Sequence, residues 1–297
     1  MKVGIPKSMF YYLDGEIILN FLNNLNIEVI VSSNTTKKTI QNGIKYAPDE
    51  MCLSMKNYIG HIYDLKDRCD YIIIPRIDNY HTFNQTCTNF LSAYDIVSNM
   101  FGIRVLNYNI DLNSKKNLEK GLFKIASILG YATDEINNAY KSAITKYNIK
   151  RKKQIINNLN RLKSNKKKVL IISHSYNIYD ELIGKPVIDL LKKENLEIIY
   201  SDQLDRKVCR KLSKNLSSDL YWKYSKESVG AYEMVKNKVD GVVFLSTFPC
   251  GLDSLVNEFL ALKINVPYLN IVIDDLDADN GLETRIESFS DILCCNK

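Results

Sequence analysis

A chain of 297 residues, 45% hydrophobic and 25% charged, carries enough apolar material for one large or two ordinary cores, which sets aside a disordered or fibrous protein. Much of its net charge of +6 lies between Lys150 and Lys168, and the heavy use of Asn, Lys, Ile and Tyr reads as a base-composition bias, so basicity alone argues for no acidic partner. The start MKVGIPKSMFYY lacks the apolar core of a signal peptide, and no stretch reaches the roughly 18 apolar residues of a membrane span, so a cytoplasmic protein with no membrane partner is expected.

In chain order, Lys2–Pro6 reads as a strand, followed by an amphipathic helix around Met9–Asn23 and a second strand at Glu28–Val31. Cys52–Leu65 has helical spacing. Tyr71–Ile74 is a continuous apolar run ended by Pro75, as expected of a buried parallel strand. A long loop, Pro75–Asn89, then leads to a helix near Phe90–Met100 and a strand at Ile103–Leu106. From about Ser114 to Arg161 the pattern is helical, punctuated by Gly121 and Gly130. The second half repeats the scheme, with strands at Lys168–Ser173, Glu197–Ser201, Gly241–Leu245 and Tyr268–Ile273. Its helices fall near Pro186–Glu194, Trp222–Lys238, Leu252–Leu262 and Leu282–Leu293. Alternation of this kind predicts an α/β fold: two doubly wound, mostly parallel-sheet domains, over residues 1–112 and 167–297, joined by a helical connector over 113–166.

Seven cysteines is an odd number in a chain too long to need disulfide staples, which points to buried, metal-binding or catalytic thiols. Open parallel sheets bind ligands outside the carboxyl ends of their strands. Cys87 lies in the Pro75–Asn89 loop, and Cys250 in STFPCGLDS directly after a strand. Cys52, in APDEMCLS, opens a helix, whose N-terminus favours the thiolate that iron and zinc require. Each cysteine taken singly is more readily a small buried hydrophobe, and none forms a CxxC pair. Cys69, Cys209, Cys294 and Cys295 fit that blander reading.

The segments KVGIPKSMFYY, YAPDEMCLSMKNYIGHIYDL, DYIIIPRI, ISHSYNIYDE, FLSTFPCGLDSLVNE and DDLDADNGLETRIESF resemble, in order, the acyl-CoA dehydratase activase-related family. That family is related to the subunits of 2-hydroxyacyl-CoA dehydratases such as 2-hydroxyglutaryl-CoA dehydratase. The resemblance implies a 4Fe-4S cluster ligated by Cys52, Cys87 and Cys250 in the cleft between the two domains. Three thiolates would leave one iron open to water, hydroxide, a substrate oxygen, or sulfide bridging to a second cluster, as in a double-cubane cluster. It further implies low-potential electron transfer or reductive dehydration in anaerobic metabolism, with a companion dehydratase-like subunit or a second copy as partner. The chain has no phosphate-binding glycine-rich loop, so an ATP-dependent activase would be a separate polypeptide. The competing expectation is a non-catalytic binding or assembly subunit whose cysteines are structural or hold zinc.

His174, in SHSYN after a strand, reads either as a proton donor or cluster-facing polar group, or as a loop histidine satisfied by backbone. His61 reads as a packing or surface residue, and His81 as a fourth ligand or proton source. Arg76 would offset the charge of a cluster or a coenzyme A phosphate, or pair at the surface. Asp274, Asp275, Asp277 and Asp279 lack the spacing of a calcium loop, and read as a polar loop leading to a helix capped by Asn280 and Glu283. The basic run Lys150–Lys168 has no interleaved aromatics and reads as a solvated helix face, so no nucleic-acid partner is expected.

Overall fold

The computed structural model describes residues 1–81, 84–218, 220–274 and 281–295, the side chain of His81 excepted. The chain divides into two compact units, Met1–Lys150 and Arg151–Lys297. The first contains β1 (Lys2–Ile5), α1 (Gly15–Asn24), β2 (Glu28–Val31), α2 (Lys37–Tyr46), α3 (Leu53–Leu65), β3 (Tyr71–His81), β4 (Asn84–Gln85), α4 (Thr88–Phe101), β5 (Val105–Asp111) and α5 (Leu118–Ile128). Helix α6 (Thr133–Arg161) runs from the first unit into the second. The second continues with β6 (Lys168–Ile172), α7 (Ser175–Ile178), α8 (Lys185–Lys193), β7 (Glu197–Tyr200), α9 (Arg206–Leu212), α10 (Lys223–Val235), β8 (Gly241–Thr247), α11 (Gly251–Ala261), β9 (Tyr268–Ile273) and α12 (Leu282–Cys295).

Both units have a parallel sheet wound in the same order. In the first, β1 pairs with β2 on one side and β3 on the other, and β5 adds beyond β3. In the second the order is β7-β6-β8-β9, all parallel. Each unit therefore winds outward one way from its first strand and then reverses, leaving a switch point between β1 and β3 and another between β6 and β8. Crevices at such points, outside the strands' carboxyl ends, are where doubly wound folds bind ligands.

The strands form where the apolar runs lie because both faces of each sheet are covered. In the second unit Val169, Ile171, Val243 and Leu245 pack beneath α8 and α12, while Leu170, Ile172, Val242 and Phe244 pack beneath α9 and α10. Every residue of β8 is buried. The two units share small features at equivalent places in the repeat. The backbone N–H of Lys2 donates to Asp70 Oδ2 at 2.7 Å, and that of Lys168 donates to Asp240 Oδ2 at 2.7 Å. Gly60 of α3 lies against the carbonyl of Thr39 in α2, as Gly230 of α10 lies against the carbonyl of Cys209 in α9.

Two expectations change. The segment after Ile74 is not a loop: β3 continues through Pro75 to His81, paired with β5 from Ile72 to Asn79, and pairs with the antiparallel strand β4. Strand β1 ends at Ile5 and is paired with β3 only at Tyr71 and Ile72, so from there β3 has an open side on which a proline costs no ladder bond. The helix expected over Met9–Asn23 is broken into a short 3-10 turn at Met9–Tyr12 and α1. Asp275, Asp277, Asp279 and Asn280 lie outside the described residues. No helix among the described residues is long and apolar enough to cross a membrane.

Candidate functional site

Cys52, Cys87 and Cys250 occupy one kind of position: each is the N-cap residue of a helix, of α3, α4 and α11 respectively, with extended backbone. All three are half-buried, and none is in a disulfide. No sulfur accepts a capping hydrogen bond from its own helix. A helix N-terminus presents unsatisfied N–H groups and the positive end of the dipole, which favours thiolate over thiol. Cys87 and Cys250 are related by the repeat, since α4 and α11 each follow the strand on the far side of the switch point. The counterpart of Cys52 in the second unit is Trp222, the N-cap of α10. The repeated frame thus offers four such N-caps, three of them cysteine.

In the first unit the mouths of α3 and α4 meet: Asn89, two residues after Cys87, points its Nδ2 at Cys52 Sγ, 3.5 Å away. The β3–β4 hairpin that delivers Cys87 is fixed by Thr86, whose hydroxyl donates to the carbonyl of Ile77 at 2.7 Å and whose N–H donates to that of Asp78 at 2.9 Å. Helix α3 is held from behind by His61, fully buried between Ser32 Oγ on Nδ1 at 2.8 Å and Thr35 Oγ1 on Nε2 at 2.9 Å. Ser32 also receives the N–H of Lys7 at 2.7 Å, so the loops after β1 and β2 are tied to α3 through one imidazole. Burial, and then the charge of Lys7, lowers the His61 pKa to about 4. His61 is thus a packing residue, neutral near pH 7, that anchors the helix opened by Cys52.

In the second unit the switch point between β6 and β8 holds a histidine–carboxylate pair. His174, two residues past the end of β6, directs Nε2 to Asp253 Oδ1 at 2.9 Å. Asp253 lies in the first turn of α11, three residues after Cys250, where a carboxylate suits the dipole. The His174 ring stacks on Tyr176 with centroids 4.8 Å apart and planes 8° apart, and forms a T-shaped pair with Tyr224 of α10 at 5.2 Å. Neither Asp253 nor Asn89 was picked out from sequence. The available signal for both was their place in the first turn of a helix opened by a candidate cysteine.

Other expected residues resolve more plainly. The Arg76 guanidinium pairs with Asp95 and lies over the Tyr94 ring, 5.2 Å from its centroid. The His81 side chain lies outside the description. Glu283 pairs with Lys193 of α8. Within the basic run, Arg151 donates to the Leu204 carbonyl at 2.8 Å, and Arg161 to that of Ile198 at 3.1 Å. Part of that run is thus structural, holding the C-terminal stretch of α6 in place within the second unit. Among the described residues, no three or more His, Cys, Asp or Glu side chains stand gathered as a ready metal site. The donor set nevertheless fits an iron–sulfur cluster in kind: three N-cap sulfurs, with an amide donor beside one of them.

Residues 2–204 match the family described as CoA enzyme activase uncharacterised domain (DUF2229). The chain belongs to that family. The match takes in the whole first unit and the start of the second, including Cys52, Cys87 and His174. Among curated proteins, none matches this member of the CoA enzyme activase domain family. Solved structures similar to it include a zinc-bound variant of AdcAII from Streptococcus pneumoniae, at 14% identity, covering 99% of each chain with a TM-score of 0.28. The laminin binding protein Lmb of Streptococcus agalactiae is another, at 12% identity, covering 98% of each chain with a TM-score of 0.28. At such TM-scores these likenesses carry no argument about fold or metal.

Proposed function

We propose that the protein is an iron–sulfur component of a 2-hydroxyacyl-CoA dehydratase-like system, in which Cys52, Cys87 and Cys250 together ligate one 4Fe-4S cluster. The observation that carries this reading is that all three cysteines are N-caps of helices, two of them at equivalent places in a repeated fold. Membership of a family described by CoA enzyme activation supports a substrate of the acyl-CoA class. When bound, the cluster supplies a low-potential one-electron couple and, with three protein thiolates, an iron open to a further ligand.

The chain's own residues do the rest. Helix N-termini offset the negative charge of thiolates, and Asn89 donates toward the Cys52 sulfur, a contact of the kind that sets reduction potential. His174 handles a proton where it meets Asp253, in the first turn of the helix that Cys250 opens. Because the three thiols are not already gathered among the described residues, ligand assembly and cluster binding are one event in this reading. Electrons come from a separate ATP-dependent activase, and the partner is a companion dehydratase-like subunit or a second copy. The opposing reading, a non-catalytic subunit with structural or zinc-binding cysteines, is favoured by that same lack of a gathered set.

Anaerobic purification followed by iron and sulfide analysis separates the two. About four irons and four sulfides per chain, with an electron paramagnetic resonance signal on reduction, are expected. A colourless chain holding stoichiometric zinc contradicts the proposal.

A further inference from the structure

His174 is more constrained than a proton-handling loop residue needs to be. Its imidazole is fixed by three contacts: Nε2 on Asp253, one face on Tyr176, and a T-shaped contact with Tyr224. A carboxylate only accepts hydrogen bonds, so the 2.9 Å contact to Asp253 Oδ1 places the ring proton on Nε2. His174 is itself the N-cap of α7, yet its side chain makes no capping bond, and Nδ1 has no hydrogen-bond partner among the described residues. Both partners are mostly buried, with side chains 14% and 19% exposed.

We infer that Asp253 is a positioning residue: by holding the proton on Nε2 it presents the Nδ1 lone pair of His174 as a hydrogen-bond acceptor at the β6–β8 switch point. The group served there is then a donor, an O–H or S–H, whose proton passes to Nδ1 while Asp253 stabilises the resulting imidazolium. No electron moves and no other bond changes in that step. The arrangement follows the general rule that the partner of one ring nitrogen fixes what the other can do. Asp253 Oδ2 is buried without a hydrogen-bond partner among the described residues, so the carboxylate is committed to His174 and not shared within a wider network. The inference deepens the function proposed above, resting on it only for the identity of the reaction site.

Nitrogen-15 NMR of the full chain, labelled at its histidine imidazoles, tests it in mildly alkaline buffer. Only three histidines are present, so loss of a signal in His174→Gln assigns the ring. Wild type is expected to carry its proton on Nε2, with a downfield, slowly exchanging N–H resonance. Asp253→Ala should abolish that resonance while the amide spectrum keeps the fold. Wild-type His174 protonated on Nδ1, or a downfield resonance unchanged in Asp253→Ala, overturns the inference. The measurement is made on chain prepared with and without iron. A missing cluster therefore sinks the functional reading while leaving this result standing, and the wrong tautomer sinks this one whatever the iron content.

Discussion

At the scale of single residues, the protein spends unusual side chains on placing ordinary ones. His61 ties Ser32 and Thr35 to the helix that Cys52 opens. Its lowered pKa of about 4 makes that tie depend on pH. The unfolded chain takes up a proton near pH 6.5, the folded one only near 4, so between those values the unfolded state binds more protons. The stabilisation is complete above pH 6.5 and is lost as pH falls toward 4. Urea denaturation should therefore give a first unit about 2 kcal/mol weaker at pH 5 than at pH 7 from this group alone. His61→Gln should flatten that difference, and an unchanged slope in the variant would remove His61 as its source. From sequence His61 could be placed on a helix, because apolar spacing around it is helical. The hydroxyls that satisfy it come from a loop about 26 residues away, as Thr35 shows, which no local pattern encodes.

At the scale of elements, the close helix pairs α2–α3 and α9–α10 set where Cys52 and its counterpart Trp222 sit. A Cβ on Gly60 would lie 1.9 Å from the Thr39 carbonyl oxygen, and one on Gly230 would lie 1.8 Å from that of Cys209. In an exposed helix, Gly→Ala stabilises by about 1 kcal/mol. Here the sign reverses, because backbone must move to admit the methyl group. Gly60→Ala and Gly230→Ala should each cost about 2–3 kcal/mol, read as a drop in the denaturation midpoint. A neutral or stabilising effect would contradict the tight crossing. The strands were the most legible elements, since Tyr71–Ile74 and Gly241–Leu245 are continuous apolar runs buried on both faces. The β3–β4 hairpin was not legible, because Pro75 and the polar stretch after it read as a loop. Its extension is stabilised by pairing with β5, a tertiary fact that overrides local propensity. The short helix α9 was missed for a similar reason: in seven residues it buries a single side chain, Cys209.

At the scale of the whole molecule, two units of one winding order are a repeat in which the chemistry has been placed unequally. The first unit carries Cys52 and Cys87 at adjoining helix mouths; the second carries Cys250 with the His174–Asp253 pair, and Trp222 where a fourth cysteine would stand. That division was half readable from sequence. Repetition of the strand pattern foretold the two sheets, and the neighbours of each cysteine foretold the family. The partner of His174 stayed hidden, because residues 79 apart meet only once β6 and β8 lie side by side. The central claim is that thiols from both units serve one cluster. Its most direct test is the iron and sulfide content of anaerobically purified Cys52→Ser and Cys250→Ser, one variant from each unit. Each single substitution should remove most of the iron and the reduced-state resonance signal while the far-ultraviolet circular dichroism stays unchanged. Full iron and sulfide in Cys250→Ser, with loss only in Cys52→Ser, would show a site confined to the first unit and contradict the account.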